Sequence, residues 1–177
     1  MDCMGQVLRG SWGATCWCMY PRLDSREAQE IGGKGRREAM TVLARRKRAP
    51  GLMAFDGDEP VGWVAIAPRN EYRRIEASRA TPRVDDVDVW VIPCITVRPS
   101  ARGRGIALAL IREAVRYAKR WGAPAVEAYP RAGSARTKDD NAFFGTEPLF
   151  RRAGFRLLRR SPKRNGVARV TMRVDLE

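Results

Sequence analysis

Hydrophobic and polar positions alternate between helical and strand-like spacing along the chain. From residue 24 to 48, Met40, Leu43 and Ala44 recur at helical spacing, Asp24 or Ser25 can cap the start, and Pro50-Gly51 stops the run. Gly32, Gly33 and Gly35 predict that this stretch divides into two helices. Residues 52–55 and 61–67 are short apolar runs joined by Asp56-Gly57-Asp58-Glu59-Pro60, which has the turn chemistry of a hairpin. After a charged loop with a short helix at 68–82, a third strand is predicted over 87–97. Pro93 interrupts it, and because proline has no N–H to donate, it marks a bulge or an unpaired stretch. The strongest helical pattern is 104–121, with Leu108, Ile111, Ala114, Val115 and Ala118 on one face and Gly122 at the end. A strand at 125–129, a polar loop at 131–144, a short helix at 147–153 stopped by Gly154, and strands at 155–158 and 167–174 follow. Residues 1–22 are rich in Gly, Cys and Trp without a clear period, so an irregular lid or a weak first strand is expected there.

This order describes one mixed α/β domain over residues 1–177, a length that buries a sizeable core without staples. Hydrophobic residues at 44% and charged residues at 31% are ordinary for a folded globular chain. The charge is not ordinary: 34 Lys plus Arg against 20 Asp plus Glu give +14, and only five of the 34 are Lys. Such a surface serves nucleic acid, an anionic membrane or a polyanionic small molecule, and net charge does not choose among them. There is no basic-then-apolar leader and no run approaching the ~18 apolar residues of a membrane span, so a cytoplasmic protein with reduced thiols and no membrane association is expected. Of Cys3, Cys16, Cys18 and Cys94, three crowd the N-terminus. C-x-C without a second spaced pair, in a chain without histidine, favours lid packing over a metal site, so no metal is expected.

The most informative segment is Arg102-Gly103-Arg104-Gly105-Ile106-Ala107, which leads from a strand into the strongest helix. A helix start leaves backbone N–H groups unpaired at the positive end of the dipole, and glycines before it let phosphate oxygens approach. The spacing is neither G-x-G-x-x-G nor a P-loop, so the cradle by itself has several possible owners.

Val97-Arg98-Pro99 followed by R-x-x-G-x-A and an amphipathic helix resembles the signature of the GNAT superfamily of acyl-CoA-dependent N-acyltransferases. Residues 52–67 resemble that family's central hairpin and 125–129 its fifth strand. Leu149-Phe150-Arg151-Arg152-Ala153-Gly154-Phe155 resembles the segment the family writes L-Y-x-x-x-G-F. Gly62-Trp63-Val64, Ala67-Pro68-Arg69, Val84-Asp85-Asp86 and Glu127-Ala128-Tyr129-Pro130, with Trp90 and Cys94, resemble a bacterial single-domain subgroup that also carries a Cys-Trp-Cys-Met-type N-terminal segment.

The resemblance implies an α/β GNAT fold: a mixed, mostly antiparallel sheet flanked by helices and splayed between the fourth and fifth strands. It implies acetyl-CoA as cosubstrate, with pantetheine beside Ile95, Thr96 and Val97 and pyrophosphate on the amides of Arg102, Gly103, Arg104, Gly105, Ile106 and Ala107, the two arginines adding charge-assisted bonds. The amine must lose a proton and the leaving thiolate must gain one. With no histidine in the chain, Glu127 is the first candidate base, followed by Asp88 and Glu147. The family's customary tyrosine falls at Phe150, so Tyr129 or Cys94 is the candidate acid, with backbone or water assistance as the alternative. Each carboxylate has the competing role of an arginine partner, and Tyr129 that of a core residue.

The leading acceptor is a primary amine on a small molecule of the aminoglycoside type, resistance by acetylation being the implied role. Asp85, Asp86, Asp88 and Trp90, with Asp139-Asp140, would receive its cationic groups. A protein or peptide amine is the second reading and predicts an open groove in place of a pocket capped by residues 1–22. A basic nucleic-acid-binding module on a degenerate form of the fold is the third, without a recognised motif to support it. Monomer and homodimer are both compatible with the sequence.

Overall fold

The computed structural model describes residues 2–9, 13–133, 143–162 and 168–177. A six-stranded sheet in the order β1-β2-β3-β4-β6-β5 organises the chain. β1 (Gly51–Asp56) and β2 (Glu59–Pro68) form the hairpin expected around residues 56–60, and β3 (Trp90–Val97) extends it antiparallel. β3 then pairs in parallel with β4 (Ala125–Ala128), while β5 (Arg156–Arg160) and β6 (Val170–Asp175) close the far side antiparallel.

The parallel pair requires a crossover, and α6 (Ile106–Arg120) supplies it. Its buried stripe is Leu110, Ile111, Ala114, Tyr117 and Ala118, so the face is rotated from the predicted one and Leu108 is half-buried. The stripe packs on Val64, Ile66, Trp90, Ile92, Ile95, Val126 and Ala128 to make the main core, joined by Phe150 of α7 (Glu147–Arg152). α6 lies close on β2 because of Gly62: a Cβ there would stand 2.9 Å from Leu110 and 3.1 Å from Ile106.

The opposite face of the sheet is covered by the N-terminal third. α3 (Ser25–Glu30) and α4 (Gly32–Ala44) are the two helices predicted over 24–48. Asp24 and Glu27 form a reciprocal capping box, with Oδ1 of Asp24 accepting from Glu27 N–H at 2.9 Å and Glu27 Oε2 accepting from Asp24 N–H at 3.0 Å. Residues 1–22 depart from the expected lid or weak strand: they contain α1 (Asp2–Leu8) and α2 (Gly13–Cys16). α1 buries Met4, Val7 and Leu8, an i, i+3, i+4 triplet too short to register as a period, against a cluster that includes Trp17, Cys18, Met19, Trp63 and Cys94. With no strand ahead of the hairpin among the described residues, the partly parted pair is β3 and β4 in this chain's own count.

Candidate active site

The pairing of β3 with β4 runs through Trp90↔Val126, Val91↔Glu127 and Ile92↔Ala128 and ends there. The cause lies at Pro93. On the other side of β3 the register with β2 slips between Ala65 and Ala67, so Ile92 and Pro93 together stand opposite Ile66 in a bulge that bends the strand. Beyond it Ile95, Thr96 and Val97 pair with Val64, Trp63 and Gly62, and among the described residues no strand pairs with their other edge. β4 continues in a different direction. Arg131 N–H donates to the Gly145 carbonyl, Glu147 N–H donates to the Arg131 carbonyl, and Val170 N–H donates to the Pro130 carbonyl. A wedge with one free strand edge opens between the two strands.

At the far end of β3 a 3₁₀ turn over Pro99–Ala101 leads into the glycine-rich loop. Gly103 and Gly105 have φ of 79° and 81°, the left-handed region, and an added Cβ at either would meet nothing within 4 Å. α6 starts at Ile106 with no side chain capping it. Unpaired amides thus face open space at the positive end of a four-turn helix. Arg104 reaches back to Asp56 at 2.7 Å, Arg98 is paired with Glu59, and Arg102 Nε donates to the Val97 carbonyl at 3.2 Å. The Arg104–Asp56 pair is half-exposed, and such pairs exchange partners at small cost. Free strand edge, uncapped amides, space at both glycines and nearby arginines fit a nucleotide pyrophosphate continued by an extended amide-bearing arm.

The candidate proton carriers are distributed differently from the expectation. Glu127 is 1% exposed, and its carboxylate accepts from Arg173 Nη2 at 2.7 Å, Arg173 Nε at 3.1 Å and Tyr129 Oη at 2.7 Å. Arg69 lies 3.6 Å from it and bonds Tyr129 Oη from the other side. Arg69 also holds Glu76 at 2.7 Å and the Thr81 carbonyl at 2.7 Å, while Arg173 grips Asp85 with two nitrogens at 2.6 and 2.8 Å. Glu127 is therefore the central anion of a buried network that ties β4 and β6 to residues 69–85. Tyr129 shares the same side of β4 as expected, yet its hydroxyl is spent in the network. Burial first, and then the Glu127 charge, push its pKa far above the usual phenol range, the wrong direction for a proton donor.

Cys94 sits on the parted strand, facing Cys18. Cys18 S–H points at Cys94 Sγ across 3.4 Å, Trp63 Nε1–H donates to Cys18 Sγ at 3.1 Å, and Thr96 Oγ1 lies 3.9 Å from Cys94 Sγ. The hydrogen bond to Cys94, then burial, hold the Cys18 thiol well above its ordinary pKa. Trp17 and Cys18 both adopt positive φ, 48° and 49°, a costly conformation for non-glycine residues that turns Cys18 inward. Trp17 and Tyr20 carry Arg37 and Arg74 over their rings and so staple the segment down; Trp12 lies outside the described residues.

The expected acceptor residues do not form one surface. Trp90, expected beside the acceptor, faces the α6 core, edge-on to Tyr117 at 6.1 Å. Asp85 is held by Arg173, Asp86 and Asp88 are exposed, and Asp139-Asp140 lie outside the described residues. Glu147 is bound by Arg151, Arg160 and the Gly133 N–H. Phe150 is fully buried against Phe155. The buried cations Arg69 and Arg173 were invisible in a sequence so rich in arginine, as was the pair Arg131 and Arg169, bridged across strands beside the wedge. No group of metal-ligating side chains occurs among the described residues, and no helix among them is long and apolar enough to cross a membrane.

An uncapped, glycine-led helix start following a strand that parts from its parallel neighbour leaves room for a phosphate-bearing cosubstrate. The family model described as the acetyltransferase (GNAT) family matches residues 15–142, and the chain belongs to that family: it is an acetyl-CoA-dependent N-acetyltransferase. No curated protein matches it in sequence. Among solved structures it is similar to a histone acetyltransferase HPA2 and related acetyltransferase from Corynebacterium glutamicum, at 21% identity and TM-score 0.55 over 98% of this chain and 90% of that one. It is similar to ribosomal-protein-alanine N-acetyltransferase from Brucella melitensis at 21% identity and TM-score 0.53, over 79% and 76%. A NatC complex bound to Gag peptide and CoA gives 15% identity and TM-score 0.53, over 79% of each chain.

Proposed function

We propose that the chain transfers the acetyl group of acetyl-CoA to a primary amine of a small molecule at the point where β3 and β4 part. The observation that carries this reading is the conjunction, on one strand-loop-helix unit, of a free β3 edge and an uncapped α6 start. In it, the backbone of Ile95, Thr96 and Val97 runs beside pantetheine, and the amides from Gly103 to Ala107 hold the pyrophosphate, the Arg102 amide being spent on the Pro99 carbonyl. Arg102 and Arg104 add charge, Arg104 by exchanging Asp56 for phosphate. Bound there, acetyl-CoA supplies an activated thioester; the chain excludes water, orients the amine and handles two protons.

Among Glu127, Tyr129 and Cys94, we assign the donor of the thiolate's proton to Cys94, the one that lies on the parted strand outside the Glu127 network. The ammonium proton goes to bulk water before the amine enters the site, and the second N–H proton, shed after attack, restores the Cys94 thiol that protonated the departing thiolate. A positive local field favours the neutral amine, so a carboxylate base is not required. The rate then rises with pH toward the acceptor's own pKa, with no inflection near 6.5 in a chain that has no histidine.

Packing of α1 and residues 17–19 over the sheet face at Trp63 and Cys94 supports a small acceptor. A polycation of the aminoglycoside type is less well served, because Asp85, Glu127 and Glu147 are already occupied by arginines. The fold likeness to a ribosomal-protein-alanine N-acetyltransferase and to the peptide-bound NatC complex favours a peptide N-terminus as the second reading. Thiol release from acetyl-CoA, followed across a panel of small amines, aminoglycosides and peptides, tests both. Turnover confined to peptides would replace the first reading with the second. A folded protein whose melting temperature acetyl-CoA does not move would overturn the reading as a whole.

A further inference from the structure

Half-buried and buried arginines of this chain are, as a rule, matched by acids: Arg22 by Glu71, Arg69 by Glu76 and Glu127, and Arg173 by Asp85 and Glu127. Arg36 and Arg74 instead spend their N–H groups on the Thr15 and Ala28 carbonyls and on Tyr20, whereas Arg131 and Arg169 are set against each other. They face each other as an antiparallel bridge, both half-buried, and among the described residues no carboxylate pairs with either. Like charges directly opposite each other on neighbouring strands are destabilising. The fold nevertheless holds Arg169 firmly: its Nη1 donates to the Tyr129 carbonyl at 3.2 Å, and its guanidinium lies 3.4 Å from the centroid of the Phe144 ring. Burial, and after it the Arg131 charge, push the Arg169 pKa down to about 10, which leaves it charged at neutral pH.

Their place in the fold gives this unmatched charge a use. Along β4 and its continuation, alternation sets Glu127, Tyr129 and Arg131 on one side of the sheet, the side of Cys94 and away from α6. Phe144, beneath Arg169, stacks at 4.0 Å on Phe143, which packs against the cluster containing Trp63 and Cys94. A contact chain therefore runs from the cluster that holds Trp63 and Cys94 through the two phenylalanines to Arg169. Two guanidiniums on a fixed backbone, one with an aromatic ring beneath it, suit the planar bidentate binding of an oxyanion.

We propose, building on acetyl transfer at the wedge, that Arg131 and Arg169 form the anion-binding half of the acceptor site, so that the acceptor carries a carboxylate, phosphonate or phosphate near its amine. The same charges favour the neutral form of the incoming amine. A zwitterionic amine is thus selected over a polyamine, and the anion fixes which end of the molecule reaches the thioester.

The test uses the full chain loaded with CoA. Ligand-observed NMR measures binding of glycine, aminomethylphosphonate and phosphoethanolamine, with ethanolamine and spermidine as the matched cations, to wild type, Arg131→Gln, Arg169→Gln and Arg131→Lys. The oxyanion-bearing amines bind wild type; each Gln variant weakens them by about tenfold to a hundredfold, and Arg131→Lys retains part of the affinity. Removing one of two repelling charges leaves the melting temperature unchanged or raised, which a purely structural role would not give. With acetyl-CoA, thiol release follows the same order, and the glycine and phosphonate arms separate carboxylate from phosphonate preference. Binding of ethanolamine or spermidine in preference to the oxyanion amines, no binding of any oxyanion amine, or full retention of binding in both Gln variants overturns the proposal. Acetyl-CoA-induced stabilisation of each variant is read separately, so loss of the enzyme reading and loss of the anion subsite are distinguishable.

Discussion

At the scale of single residues, Glu127 separates two kinds of importance. Its carboxylate has the shortest sequence distance to the wedge, yet its oxygens neutralise Arg173 and Arg69 in a site where neither partner sees water. Removing one member of such a pair leaves an uncompensated buried charge, which costs about 3–5 kcal/mol. Glu127→Gln is therefore expected to lower the melting temperature by roughly 6–20 °C for a chain of this size, while the folded fraction keeps its rate of thiol release. A variant of wild-type stability with turnover depressed a hundredfold would restore Glu127 as the base. Gly105 makes the opposite case. Its φ of 81° precedes a helix start that no side chain caps, and the space beside its Cα is open. Gly105→Val puts a branched side chain into that space at a strained angle, so acetyl-CoA affinity falls by tenfold or more, about 1.4 kcal/mol, in calorimetric titration; an unaltered Kd would move the cradle elsewhere.

Among elements, legibility followed the strength of the local rule. Glycine stops, the 56–60 turn and the α6 period were readable because each is decided within a few residues, and the capping box Asp24-x-x-Glu27 is decided within four. Asp24→Ala removes the acceptor of the Glu27 N–H and is expected to lower the melting temperature by a few degrees in thermal unfolding; no change would mean that α3 is held by packing alone. Pro93 was readable for a related reason: a residue without an N–H ends parallel pairing wherever it falls, and β3 leaves β4 at the preceding residue. What escaped was decided between distant residues. α1 offers only Met4, Val7 and Leu8 to a surface built by β2 and β3, so its helix exists because of partners sixty to ninety residues away. The choice of partner among many equivalent arginines is likewise tertiary: Arg173 with Asp85 is separated by 88 positions, and Arg69 with Tyr129 by 60. Trp90, expected beside the acceptor, and Phe150, which stands where the family has its tyrosine, both lie in the main core with the buried stripe of α6.

For the whole molecule, the arginine excess makes stability depend on the few acids, and this fixes a pH response. Asp85 is held below the usual carboxylate range first by its bonds to Arg173, and Glu147 first by Arg151 and then by Arg160, whereas Asp56 and Glu113, lowered first by Arg104 and Arg116, are exposed and add little. A carboxyl whose folded pKa is depressed binds its proton more readily in the unfolded chain. Its stabilisation is complete above the unfolded value of about 4, and it is lost as pH falls through the lower folded value. Protonation also removes negative charge from a chain already at +14, so self-repulsion grows as the ion pairs fail. The melting temperature is accordingly expected to stay level from pH 7 to about 5 and to fall steeply below about 4. Added salt should lower it slightly at pH 7, where it screens the pairs, and raise it at pH 3, where it screens the repulsion. Differential scanning calorimetry across pH 3–7 at two ionic strengths reads both effects. A melting temperature that stays level down to pH 3, or a salt effect of the same sign at both ends, would show that these arginine–carboxylate pairs do not carry the stability assigned to them.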